Sequence, residues 1–108
     1  MQGMILVLCT FPDGQQARQI ATAMVERQLA ACVNLVPGIE SIYRWDGQVE
    51  RADEVLGVFK TSGHLYPALA EALAAAHPYA VPEIVGLEPA AVAASYLAWV
   101  TAAQGIGT

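Results

Sequence analysis

Imidazole, carboxylate and thiolate are the side chains that hold divalent transition metals, and His77, Glu83 and Cys9 supply one of each. His77 and Glu83 lie six residues apart in the segment His77-Pro78-Tyr79-Ala80-Val81-Pro82-Glu83, while Cys9 sits far upstream in Leu8-Cys9-Thr10. That spacing matches no standard metal motif, so two readings stand side by side. Either the fold brings Cys9 to this corner and the three form a cation site, or the prolines only stiffen a turn whose histidine caps a helix. A second set of candidates could line a ligand pocket or a subunit interface. Tyr43 and Trp45 flank Arg44, Lys60 is the chain's one lysine, and Tyr79 and Pro82 belong to the corner itself.

These residues need a scaffold to position them. Met4 to Thr10 is a short apolar run closed by the turn-prone Phe11-Pro12-Asp13-Gly14, which predicts a buried strand. Ala17, Ile20, Ala21, Met24, Val25 and Leu29 recur at helical spacing, predicting a helix over 15–29 capped by Asp13. Residues 31–36 and 39–45 are strand-like on either side of Pro37-Gly38 and read as one long strand with a bend. Asp46-Gly47 is a hairpin signal, because a type I′ turn needs positive φ at both central residues. A two-residue turn sets Trp45 opposite Gln48, Arg44 opposite Val49 and Tyr43 opposite Glu50, with the return strand running over 48–61. A hairpin this long projects beyond its sheet and calls for another chain to cover it.

Leu65, Leu69, Ala72, Leu73 and Ala76 predict a second helix opening at Ser62 or Gly63 and ending before Pro78. Residues 83–88 are a last strand, and Pro89 leads into a terminal helix carrying Val92, Tyr96, Trp99, Val100 and Ala103 on one face. The order β-α-β-β-α-β plus a helix is that of an α+β, ferredoxin-like split βαβ sandwich. Both main helices then lie on one face of the sheet and the other face is left for a partner. The 108 residues fit a single domain, 1–108.

Composition narrows the function. Charged residues form 14% of the chain against about 25% in ordinary soluble domains, and the hydrophobic class reaches 56%. That balance favours a self-associating subunit. A net charge of −5 with five Lys and Arg opposes nucleic acid as a partner. The apolar start is too short for a membrane span and lacks a basic leader, so neither membrane nor export is expected. Two cysteines inside apolar runs suit a reducing compartment.

The chemistries known for this topology fail at their sites. Cys9 is followed by Thr10, Phe11 and Pro12, which is no C-x-x-C copper pair. The strand 54–60 offers one phenylalanine where RNA recognition needs several stacking aromatics. The loop after strand one, Phe11-Pro12-Asp13-Gly14, has neither the arginine of a phosphate cradle nor an amide at Pro12.

Taken together, LCTFPD, LAACVNLVPGIESIYRWDGQVE, KT, HPYAVPEI and YLAWV, in this order and spacing over roughly residues 5–103, resemble the CutA divalent-cation tolerance family. The resemblance implies a subunit similar to PII signalling proteins, assembled as a homotrimer through the long hairpin and the sheet edges. It further implies a cytoplasmic protein without catalytic activity, for which Cu2+ or another divalent cation, weakly bound, is the one cofactor. Enterobacterial-type members are assigned copper ligands at the cysteine of LCT and at two histidines before PY. Those positions are Cys9, Ala76 and His77, so one imidazole is replaced by a methyl group and Glu83 becomes the substitute ligand to test.

Overall fold

The computed structural model describes residues 3–106 and contains, in order, β1 (Met4–Phe11), α1 (Gly14–Glu26), β2 (Cys32–Trp45), β3 (Gln48–Ser62), α2 (Tyr66–Ala76), β4 (Val85–Leu87) and α3 (Ala94–Ala103). The four strands form one antiparallel sheet in the order β2-β3-β1-β4, the arrangement expected of the split βαβ plan.

Alternation along β1 divides the molecule into layers. Ile5, Val7, Cys9 and Phe11 point into the main core, where α1 contributes Ala17, Ile20, Ala21 and Met24 and α2 contributes Leu69, Ala72 and Leu73. Met4 and Leu6 point the other way and pack with Ala31 and with Val100 of α3. The second face is therefore partly covered from within, which corrects the expectation of a face left wholly to a partner.

Element ends moved for identifiable reasons. Asp13 caps α1 as expected, accepting from Gln16 N–H at 2.8 Å. That hydrogen bond, before any charge effect, holds its carboxyl below the usual value. The helix stops at Glu26, short of the predicted Leu29, because Gln28 takes a φ of 60° and turns the chain away. α2 starts at Tyr66 and not at Ser62 or Gly63. β3 still pairs Ser62 with Met4, and the Ser62 amide donates to Gln104 Oε1. β4 is trimmed to three residues, pairing with Leu6–Leu8. Trp99 does not share the buried face of α3; it is 49% exposed and stacks on Tyr96 at 5.7 Å, while Val100 is fully buried.

The hairpin follows its predicted register, Trp45 to Gln48, Arg44 to Val49 and Tyr43 to Glu50, around Asp46 and Gly47, both at positive φ. Both cysteines are free thiols.

Candidate functional site

Pro78 forbids a helical His77, so α2 ends there and His77 adopts extended backbone with φ −75° and ψ 139°. Its ring lies against Phe11, with centroids 5.1 Å apart, and is 8% exposed. The Tyr79 amide donates to Nδ1 at 3.1 Å, which requires the proton on Nε2, and Nε2–H donates to the Thr10 carbonyl at 2.7 Å. Both nitrogens are thereby used to tie the corner to the end of β1.

From this anchor the chain crosses the end of β1. Tyr79 packs its ring 4.8 Å from that of His77 and donates its hydroxyl to Glu54 Oε2 at 2.6 Å. Burial, followed by the Glu54 carboxylate, pushes the Tyr79 hydroxyl well above the usual tyrosine value. Phe11 faces the helices whereas Glu54 belongs to the even-numbered side of β3, so the His77-Pro78-Tyr79 turn fastens both sides of the sheet.

The hairpin reaches the same place through a bulge. Val36 pairs with Leu56 and Ile39 with Glu54, so β2 advances three residues while β3 advances two. The extra residue falls at Pro37-Gly38, where Gly38 takes a φ of 74°. One added residue inverts the alternation of β2, because the side-chain period is two. Before the bulge Cys32 and Asn34 share the side of Lys60 and Val58; after it Ser41, Tyr43 and Trp45 pair with Ala52, Glu50 and Gln48 on that same even side of β3. Thr10, opposite Leu56, joins them. The result is a cleft of about 850 Å³, walled by Ser41, Ile42, Tyr43 and Trp45 on the hairpin, by residues 78–83 on the corner, and floored by Thr10 and Glu54.

The pocket candidates therefore divide. Tyr43, Trp45, Tyr79, Pro82 and Glu83 meet in this cleft. Lys60 does not join them: it pairs with Leu6 near the opposite end of β1, and its ammonium engages Asn34 Oδ1 with Cys32 Sγ 4.0 Å away. Thr10, Ser41 and Glu54 were absent from the sequence-derived set. Glu54 carried a usable signal, being a carboxylate in a strand run, Glu54-Val55-Leu56-Gly57-Val58-Phe59, that otherwise reads as buried.

A metal centre at Cys9, His77 and Glu83 fits these residues poorly. Cys9 is fully buried on the helix side, and burial, then the charges of Glu83 and Glu54, push its thiol up to about 12, opposing the thiolate a metal needs. Both His77 nitrogens are occupied by backbone partners. Among the described residues no group of three His, Cys, Asp or Glu side chains is placed to hold a metal ion.

The topology, the projecting hairpin and the corner fastened to the end of β1 define a ferredoxin-like α+β subunit with a cleft at the hairpin root. Residues 5–103 match the family model described as CutA1 divalent ion tolerance protein, and the chain belongs to that family. It is 52% identical over 94 residues to the divalent-cation tolerance protein CutA of Thermus thermophilus, covering 87% of this chain and 91% of that one. It is 47% identical to the mouse protein CutA over 84% of this chain, and spans about half, 51%, of that longer relative. The solved structure of a divalent cation tolerance protein from Thermus thermophilus superposes with a TM-score of 0.87 at 50% identity, covering 90% of this chain and 94% of that one.

Proposed function

We propose that the chain acts as a homotrimer in the tolerance of divalent cations, binding its ligands without catalytic turnover. One observation carries the trimer. Large apolar side chains stand in solvent along the hairpin and the β4 edge: Ile42 is 69% exposed, Val49 66%, Leu87 46% and Val85 44%. A lone subunit gains nothing from such exposure, whereas a neighbour seated on it removes that surface from water at about 25 cal/mol per Å². β2 and β4 are also the two edges of the sheet, so head-to-tail contact between unlike edges can close a ring. Light scattering tests the reading: it should return about three times the 11.4 kDa chain mass, and a monomer at micromolar concentration would overturn it.

Divalent cation binding is the second component, and the family membership supports it. The geometry argues that Cu2+, where it binds, does so weakly and outside a Cys9–His77–Glu83 centre. Calorimetric titration of Cu2+ into the wild type, Cys9→Ala and Glu83→Ala proteins decides this. Equal affinities are expected, and a stoichiometric site lost in Cys9→Ala would restore that centre.

A second reading, favoured by the cleft itself, is a PII-like role in which small-molecule occupancy is sensed by the assembly. Its size lies within the range of about 300–1,000 Å³ common to small-ligand sites.

A further inference from the structure

We infer that the cleft between the hairpin and the 78–83 corner takes a small organic ammonium ion, held among Tyr43, Trp45 and Tyr79 and by the carboxylates of Glu54 and Glu83. This inference rests on the small-molecule reading and names the chemical class of the ligand. The polar side chains lining the cleft are two carboxylates, the hydroxyls of Thr10, Ser41, Tyr43 and Tyr79 and the indole N–H of Trp45, and among the described residues lining it none is Lys, Arg or His. An anion would meet two carboxylates there and no countercharge. A cation meets both, in a chain whose net charge is already −5.

The charges of the same two carboxylates reach as far as Cys9 on the helix side of β1, where they add to burial in opposing its ionisation. The Tyr79 hydroxyl engages Glu54 through Oε2, so Oε1 is the oxygen left to face the positive charge of a ligand. Three aromatic rings around two carboxylates suit a diffuse cation with an apolar body, which aromatic systems attract through their negative faces. They suit a bare divalent ion less well, since such an ion demands several oxygen or nitrogen atoms in direct contact.

The test uses the full chain in its native assembly with Trp99→Phe as background, which leaves Trp45 as the one tryptophan. Choline and its uncharged isostere 3,3-dimethylbutan-1-ol are titrated while Trp45 fluorescence is followed. Choline should give saturable quenching, with the isostere about tenfold weaker or more. Glu83→Gln, at an exposed position, should weaken choline severalfold, leave the isostere unchanged and keep the circular dichroism spectrum. Equal binding of both probes overturns the ammonium assignment while preserving a small-molecule cleft. Binding of neither probe overturns both, including the case in which acrylamide cannot reach Trp45 because a neighbouring chain fills the cleft. Displacement of choline by stoichiometric Cu2+ makes the occupant a metal ion and overturns the inference as well.

Discussion

Tyr79 donates its hydroxyl hydrogen to Glu54 Oε2 across 2.6 Å, joining the corner after α2 to β3, 25 residues earlier in sequence. Glu54 is 9% exposed, so its carboxylate depends on this donor for part of the solvation it loses on folding. Tyr79→Phe should therefore lower unfolding free energy by about 1–2 kcal/mol in urea titrations, with little change in slope. A loss below a few tenths would mean that water replaces the hydroxyl.

The same bond makes a pH prediction. Folded Tyr79 keeps its proton above the ordinary value of 10.0, so its contribution is complete below pH 10 and declines as pH rises beyond that toward the folded value. Cys9 acts in the same direction, its thiol raised from 9.0 to about 12, with its share declining from about pH 9 upward. Stability should fall between pH 9 and 12, and the Tyr79→Phe, Cys9→Ala double variant should show a flatter profile over that window. A parallel profile would assign the alkaline loss to other groups.

The two thiols should differ sharply in reactivity. Cys9 is fully buried whereas Cys32 is partly exposed beside Lys60. A disulfide reagent such as DTNB should modify one thiol per native chain, at Cys32, with Cys9 reacting only as fast as the core opens. Prompt modification of both would contradict the packing around β1.

His77 is expected to be a neutral Nε2–H tautomer, visible in long-range proton–nitrogen spectra as a pyrrole-type Nε2 and a pyridine-type Nδ1. His77→Ala removes two hydrogen bonds and the stack on Phe11, so a loss of about 2–4 kcal/mol is expected in denaturant. The reverse tautomer would free Nε2 and reopen His77 as a metal ligand.

Much of this fold was legible because its signals are local. Asp13 as a cap, Asp46-Gly47 as a turn and the 3.6 period of α1 each act within a few residues, and each holds in the structure. Pro78 likewise fixed where α2 ends. Tyr43, Trp45, Tyr79 and Pro82 were legible as one set of residues near turns, whereas the exclusion of Lys60 and the transfer of Glu83 from the metal set to the cleft were not. Which side of a strand a residue faces depends on every residue between it and a known reference. One bulge residue reverses the answer, and Pro37-Gly38 reads as a bend without declaring whether an extra residue is inserted. Glu54 was missed for a related reason: its partner Tyr79 lies 25 residues away, beyond any periodicity. The end of α1 at Glu26 was set by the left-handed turn at Gln28, and the start of α2 at Tyr66 by a tertiary demand, the Ser62 amide taken by Gln104.

The bulge itself supplies the last prediction. Gly38 takes φ 74° with open space around its α-carbon, so Gly38→Ala meets only backbone strain and should cost about 1 kcal/mol while leaving the register intact. Deleting Gly38 is a different perturbation, since it removes the extra residue. Pro37 then falls opposite Val55, between the Val36–Leu56 and Ile39–Glu54 pairs, so β2 pairs without a bulge while Ser41, Tyr43 and Trp45 keep Ala52, Glu50 and Gln48 as partners on the side of Glu54. Cross-strand nuclear Overhauser contacts between Tyr43 and Glu50 should therefore survive the deletion. Their loss would show that the hairpin slips by one residue, which would also cost the Asp46-Gly47 turn.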